Sequence, residues 1–246
     1  MMWGVIPAAG RGSRVSDDHV DGCKELIEIN GRTMLQRTID ELRAAEVDGI
    51  VIVTSPNKPA IKTSLEESGE LTRGDIKFVE QAEPNGLVDA ISQAIPICGE
   101  NMLVATPDNL YLRHPCPSFE LLRVHGTSQR CVIGVVPVVS PWGEMLGDTG
   151  RVDSLYNSKN SEHRALSGIL EKRKTKPFPL TVPPRWRCTG RMIVTTEFWW
   201  QTGLDDVEKL GALASQGRLL AAELDADYID IGIPTGLSYA REHYGE

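Results

Sequence analysis

The residues best suited to chemistry lie near the start of the chain, where positions 8–14 read A-A-G-R-G-S-R. This stretch follows the apolar run Trp3–Pro7, and Lys24 comes ten residues after it. Glycine lets main-chain N–H groups approach an anion closely, and Arg and Lys supply positive charge. The stretch therefore predicts a loop that wraps phosphate groups, such as those of a nucleoside triphosphate. Taken alone, the pattern equally fits a tight turn with solvated arginines.

Two established phosphate fingerprints do not fit this loop. It lacks the third glycine of the dinucleotide-binding motif and the G-K-[ST] sequence of the P-loop. A dehydrogenase that binds a nicotinamide cofactor is therefore disfavoured.

Two carboxylates follow apolar stretches elsewhere in the chain. Asp108 lies in A-T-P-D-N, just after the apolar run Met102–Ala105. Asp230 lies in Y-I-D-I-G-I-P, at the end of the last apolar strand that the sequence predicts. Each one singly is typical of a turn or a helix cap. Carboxylates from two strand ends can together hold a hard cation such as Mg²⁺ beside bound phosphates.

The elements that must position these residues alternate along the first half of the chain. Strands are predicted at Trp3–Pro7, Gly49–Thr54, Ile76–Val79, Met102–Ala105 and Cys131–Val138, with helices at Met34–Ala45, Pro59–Glu67, Leu87–Ile95 and near Ser118–His125. This order predicts an α/β fold with a Rossmann-like, doubly wound and mostly parallel sheet. Ligands bind beyond the carboxyl ends of such strands, so we expect residues 8–14, 81–86 and 108 on one rim.

The pattern changes after about residue 140. Further strands are predicted at Arg151–Tyr156, Ala165–Leu170, Arg187–Val194 and Tyr228–Ile231, with helices at Asp205–Ala214 and Thr235–His243. We expect this half to extend the same sheet. The prediction is one domain over 1–246.

Composition excludes several classes of protein. The 246 residues carry a net charge of −8, which argues against a nucleic-acid binder. The five cysteines are scattered, so neither a zinc site nor a disulfide framework is predicted, and free thiols favour a reducing cytoplasm. The absence of an 18-residue apolar stretch argues against a membrane span.

Ordered segments along most of the chain resemble the sugar-1-phosphate nucleotidylyltransferases, also called NDP-sugar pyrophosphorylases. They comprise the G-x-G-[TS]-R loop at 10–14, Lys24, the Q-x-x-P-x-G-L segment at 81–87, Asp108, the pair Glu171-Lys172, and D-x-G-x-P at 230–234. Any one segment could arise by chance, but their shared order is specific. The resemblance implies a GT-A-like nucleotidyltransferase fold. It also implies that the domain has a nucleotide-binding part (1–138) and a sugar-phosphate-binding part (139–246), the latter with an acceptor-binding insertion.

The resemblance also implies a role for each segment. Arg14 and Lys24 would be catalytic; Ala9, Gly10, Gly12, Ser13, Gln81, Pro84 and Gly86 would bind the nucleotide; Gly147, Glu171 and Lys172 would bind the sugar phosphate; and Asp108 and Asp230 would bind Mg²⁺. The implied reaction transfers a nucleotidyl group from an NTP, with UTP or dTTP favoured, to a sugar 1-phosphate. A homo-oligomer is plausible in this family.

Three departures from the family pattern concern the site. Cys23 stands where a proline precedes the lysine, Pro107 stands where a glycine precedes the metal aspartate, and the Glu-Lys pair lacks its following proline. Two alternatives therefore stay open. One is a CTP-dependent cytidylyltransferase that acts on a non-sugar phosphate or phosphonate, and the other is a nucleotide-binding module without turnover.

Overall fold

The structure is a computed structural model, and it describes residues 1–10, 23–112, 116–138, 151–152, 155–157, 163–166, 169–170, 186–203 and 205–244. Its strands are β1 (Trp3–Pro7), β2 (Glu28–Ile29), β3 (Arg32–Thr33), β4 (Ile50–Thr54), β5 (Ile76–Glu80), β6 (Met102–Ala105), β7 (Asn109–Leu112), β8 (Cys131–Pro137), β9 (Arg151–Val152), β10 (Leu155–Asn157), β11 (Arg164–Leu166), β12 (Ile169–Leu170), β13 (Trp186–Val194), β14 (Leu219–Glu223) and β15 (Asp227–Asp230).

The helices are α1 (Met34–Ala44), α2 (Pro59–Glu67), α3 (Leu87–Ser92), α4 (Ile95–Cys98), α5 (Pro117–Ser128), α6 (Thr196–Trp199), α7 (Asp206–Ser215) and α8 (Pro234–Tyr244), with short 3₁₀ helices at Lys24–Leu26 and Glu70–Arg73. Within the described ranges, no helix combines the length and the apolar character needed to cross a membrane.

The main sheet has 11 strands among the described residues, and most of them follow the order β10-β11-β14-β8-β13-β6-β1-β4-β5. Strands β6, β1, β4 and β5 are parallel neighbours, as the alternating pattern predicts. Strand β13 runs antiparallel between β6 and β8, and β14 is parallel to β8. Strands from the second half of the chain therefore lie in the same sheet as the first.

Apolar side chains fill both faces of this sheet. Residues 50–53 of β4 are fully buried, because helices cover both faces of a parallel sheet and leave its central strands no solvent side. Helix α1 begins with a capping box, in which the Thr33 hydroxyl accepts from the Gln36 N–H and the Gln36 side chain accepts from the Thr33 N–H. Its buried face packs Leu35, Ile39 and Leu42 into the core.

A two-stranded antiparallel sheet brings the two predicted metal carboxylates together. Strand β15 pairs with β7, and Asp230 lies opposite Asn109. The Ile231 N–H donates to the Asp108 carbonyl at 3.0 Å. Strand β7 was not predicted from the sequence, and its pairing with β15 brings Asp230 next to the segment that carries Asp108.

The predicted fold class is confirmed, and the differences concern single elements and the order of the strands. The helix predicted over Leu87–Ile95 is two helices, since α3 ends at Ser92 and α4 carries Pro96 in its first turn, where a missing N–H costs little. Strand β14 and the β2–β3 hairpin were also missed. The central position of β13 was not predicted, because strand order in a sheet does not follow from local pattern.

Candidate active site

A cleft of about 480 Å³ opens at the carboxyl ends of β1, β5 and β6. Predicted site residues line it: Ala9, Gly10, Lys24, Gln81, Pro84, Gly86 and Asp108. Pro7, Leu87, Ala90, Thr106 and Pro107 complete the lining. The structure thus brings together segments that lie up to about one hundred residues apart in the sequence, at the rim where parallel α/β sheets bind ligands.

Lys24 and Asp108 form an ion pair across this cleft, between the lysine Nζ and the aspartate Oδ2. Both side chains are largely shielded from solvent. Burial alone would lower the pKa of Lys24, but the nearby carboxylates of Asp108, Glu25 and Asp230 outweigh burial and raise its pKa above the usual value. Lys24 is therefore a permanent cation at neutral pH.

Asp230 is buried on the side of the cleft where Asp108 lies. Its Oδ1 accepts the Gly232 N–H at 2.8 Å, which fixes the carboxylate in the turn before α8. Its charge reaches Lys24, whose pKa it helps to raise. Two oxygen-donor carboxylates on adjacent chain segments suit Mg²⁺, which is commonly bound by one or two protein carboxylates together with phosphates and water.

A buried ion pair anchors the two segments that carry Gly10 and Lys24. The Lys58 ammonium donates to both carboxylate oxygens of Glu25, at 3.0 and 2.8 Å, and to the Ala8 carbonyl at 3.0 Å. Both side chains are buried. Lys58 thereby ties the end of β1 to the 3₁₀ helix that begins at Lys24. Cys23 is buried in the core beside this helix, where a small thiol packs as an apolar group.

Two glycines of the cleft have different reasons to be glycine. A Cβ added to Gly10 would meet no atom within 4 Å, so packing against the described residues does not require glycine there. Close approach of a ligand to the main chain is a sufficient reason. Gly86 has φ +97° and ψ −179°, a conformation almost restricted to glycine, and it precedes α3.

Gln81 is buried and follows β5 at the cleft. Its Nε2 donates to the Gly86 carbonyl at 3.1 Å and to Asp89 Oδ2 at 2.6 Å. Both partners are acceptors, so the amide nitrogen must face them, and the orientation of the amide is determined by its surroundings. The sequence pattern did not identify Asp89 as part of the site.

The loop that carries Asp108 rests on β13. The Thr106 N–H donates to the Gly190 carbonyl at 2.9 Å, and the Arg191 guanidinium donates to the Thr106 carbonyl at 2.8 Å. Gly190 is closely covered, since an added Cβ would lie 1.6 Å from Asn109 Oδ1 and 1.9 Å from Thr106 Oγ1. This glycine allows the Asp108 loop to sit directly on the strand.

Arg191 is held in turn by Glu41 of α1. Its Nε and one terminal nitrogen donate to the two oxygens of Glu41 at 2.9 and 2.7 Å. Ser118, at the start of α5, donates to Glu41 through its N–H at 3.0 Å. The Arg191–Glu41 pair is buried, and the guanidinium carbon of Arg191 lies 4.8 Å from the centroid of the Tyr111 ring. The Asp108 loop is thus connected to α1, α5 and β13.

Several predicted site residues lie outside the described residues: Gly12, Ser13, Arg14, Gly147, Glu171 and Lys172. Their roles stay predictions. The supporting residues Lys58, Glu41 and Arg191 were missed. Nothing in their local sequence distinguishes them from surface charges, and their partners lie up to 150 residues away.

The protein has an α/β fold, and its cleft brings Lys24, Asp108 and two glycines to the carboxyl ends of parallel strands, an arrangement that fits a nucleotidyltransferase. The model of the MobA-like NTP transferase domain matches residues 4–137. Because this match covers more than half of the chain, the protein belongs to that family of nucleotidyltransferases.

Relatives and structural neighbours carry the names of sugar-1-phosphate nucleotidylyltransferases. A UTP–glucose-1-phosphate uridylyltransferase 2 of Streptococcus pyogenes serotype M3 is 24% identical over 281 residues, covering 97% of this chain and 90% of the relative. The UTP-bound UGPase of Acinetobacter baumannii superposes with a TM-score of 0.76 at 23% identity, over 100% of this chain and 93% of its own. A UDP-glucose pyrophosphorylase complexed with UDP-glucose gives 0.79 at 20% identity, covering 99% and 98% of the two chains. The resemblance found in the sequence is confirmed.

Proposed function

We propose that this protein transfers a nucleotidyl group from UTP or dTTP to a sugar 1-phosphate in a Mg²⁺-dependent reaction, giving an NDP-sugar and pyrophosphate. The observation that carries the proposal is the convergence of Lys24, Asp108 and Gln81 in one cleft. Relatives named for UTP and glucose 1-phosphate support the choice of substrates.

The reaction makes few demands on acid–base chemistry. A non-bridging phosphate oxygen of the sugar 1-phosphate attacks the α-phosphorus, the bond from that phosphorus to the oxygen that bridges the α- and β-phosphates breaks, and pyrophosphate leaves with the electron pair. The second pKa of a phosphate monoester is about 6, so the nucleophile is largely dianionic at pH 7 and needs no general base. Positioning and charge neutralisation then supply most of the catalysis.

Lys24 supplies fixed positive charge on the side of the cleft where the triphosphate would lie. Its ammonium would neutralise charge that develops on the α-phosphate and on the departing pyrophosphate. The ion pair with Asp108 holds the ammonium in place before substrate binds. Arg14, predicted to assist it, belongs to the same proposal.

Asp108 and Asp230 would hold Mg²⁺ at the phosphates. Bound there, the ion would neutralise phosphate charge and orient the triphosphate. The sugar phosphate would be bound by Gly147, Glu171 and Lys172, as the family resemblance implies.

A pyrophosphate-release screen tests the proposal directly. UTP, dTTP, CTP, ATP and GTP are each combined with MgCl₂ and a panel of sugar 1-phosphates and other phosphorylated acceptors. We expect release with UTP or dTTP and a hexose 1-phosphate, and a rate lower by ~10²–10³ in Lys24→Ala. Lys62→Ala is the matched control, because Lys62 is an exposed lysine of α2 and should keep wild-type activity. No release with any pair would reject the proposal.

The same screen separates the alternatives. Release with CTP and a non-sugar phosphate or phosphonate would identify a cytidylyltransferase. Binding of a nucleotide without exchange of labelled pyrophosphate into the triphosphate would identify a module without turnover.

A further inference from the structure

The side chain that could read the nucleobase has its orientation fixed by the protein. Gln81 lines the cleft, and its Nε2 is engaged by the Gly86 carbonyl and by Asp89 Oδ2. The Asp89 contact is the shorter of the two at 2.6 Å, against 3.1 Å for Gly86. A hydrogen bond to a carboxylate is also roughly twice as strong as one between neutral groups.

A glutamine amide presents a donor on one side and an acceptor on the other. With Nε2 directed at Asp89 and Gly86, the amide offers its acceptor, Oε1, to a ligand in the cleft. A rotation of the amide by half a turn would place Oε1 against two acceptors, so the protein disfavours it.

An acceptor at this position distinguishes the pyrimidine bases. The imide N3 of uracil and of thymine carries a hydrogen and donates, whereas N3 of cytosine carries a lone pair and accepts. Oε1 therefore suits uracil or thymine and repels cytosine at N3. A buried polar group that lacks its partner costs enough to give strong selection.

We propose that Asp89 is a positioning residue that makes the protein select bases with an N3–H, uracil and thymine, by fixing the acceptor of Gln81 toward the base. This inference rests on the proposed function and goes beyond it by naming how the base is chosen. Asp89 acts through Gln81 and needs no contact with the nucleotide.

Equilibrium binding of UTP and CTP to the full chain, measured by titration calorimetry, tests this without knowledge of the acceptor. We expect the wild-type protein to bind UTP about 10- to 100-fold more tightly than CTP. Asp89→Asn should narrow that preference by about three- to tenfold, because the introduced side-chain amide can accept from Nε2 or donate to Oε1 and so supports both orientations of Gln81. Asp225→Asn, which removes an exposed carboxylate between β14 and β15, is the matched control and should keep the wild-type ratio.

A ligand variant keeps the test independent of protein folding. In 3-methyluridine triphosphate a methyl group replaces the N3 hydrogen, and we expect the wild-type protein to bind it at least about tenfold more weakly than UTP. Three results would each overturn the inference and leave the proposed transfer reaction standing. They are equal binding of UTP and CTP by the wild type, a wild-type ratio of UTP to CTP affinity in folded Asp89→Asn, and undiminished binding of the methylated nucleotide. Failure to bind any nucleotide would overturn both.

Discussion

At the scale of the residue, the charge state of Lys24 makes a prediction about pH. Its pKa is raised because the carboxylates around it outweigh the effect of burial. A lysine with a raised pKa in the folded state contributes stability at pH values below its unfolded pKa, and that contribution is lost as the pH rises through the folded pKa. Lys24 should therefore stay charged across the whole neutral and mildly alkaline range.

We expect the pH profile of kcat/KM for pyrophosphate release to be flat from about pH 7 to pH 9 and to fall on the acid side with an apparent pKa of about 6, set by the phosphate ester. Rate measurements in overlapping buffers at constant ionic strength provide the check. An alkaline limb below about pH 9 that moves upward in Lys24→Arg would contradict this prediction, because arginine titrates well above lysine.

At the scale of the element, the close packing of the Asp108 loop against β13 depends on Gly190. Gly190→Ala would place a Cβ 1.6 Å from Asn109 Oδ1 and 1.9 Å from Thr106 Oγ1, so that these two side chains and the loop between β6 and β7 that carries them must shift. A misplacement of catalytic groups by about 1 Å costs about 10²-fold in rate. We expect Gly190→Ala to lose activity by that order in the pyrophosphate-release assay.

Gly126→Ala is the control for this substitution. Gly126 lies in α5, where an added Cβ meets nothing within 4 Å, so alanine should keep full activity and raise helix stability by about 0.5–1 kcal/mol. Wild-type turnover in Gly190→Ala would show that the contact between β13 and the Asp108 loop does not position the carboxylate.

At the scale of the whole molecule, the pair Glu41–Arg191 joins α1, α5, β13 and the Asp108 loop in the interior. Arg191→Met would leave Glu41 buried without its countercharge. Breaking a buried pair in this way typically costs about 3–5 kcal/mol. We expect that loss in the free energy of unfolding, measured by urea denaturation followed by circular dichroism.

An exposed ion pair provides the comparison. Arg123→Ala removes the contact of Arg123 with Glu120 on the surface of α5 and should cost at most about 1 kcal/mol. If the two substitutions were equally mild, the Glu41–Arg191 pair would not hold the elements together.

The sequence by itself determined the local elements of the first half and the segments of the site. Strands such as Ile50–Thr54 are continuous apolar runs, and a buried parallel strand requires such runs wherever it lies in the sheet. Part of the cleft was also predicted from the sequence. Gly10, Lys24 and Asp108 stand out because phosphate chemistry requires glycine, lysine and aspartate at strand ends, whereas Ala9, Gln81, Pro84 and Gly86 were identified through the family resemblance. The α/β class could be predicted for a similar reason, because strands and helices alternate regularly along the first half of the chain.

Only the tertiary structure decided which distant segments meet. Three features depend on partners that the local pattern does not identify. They are the insertion of β13 between β6 and β8, the anchoring of Ala8 by Lys58, and the orientation of Gln81 by Asp89. Strand order and buried ion pairs depend on how all the elements pack together. Hydrophobic periodicity shows only which face of each element is buried, and not which other element covers it. The sequence therefore specified which chemical groups the cleft contains, and the packing of the sheet decided how each of them is held.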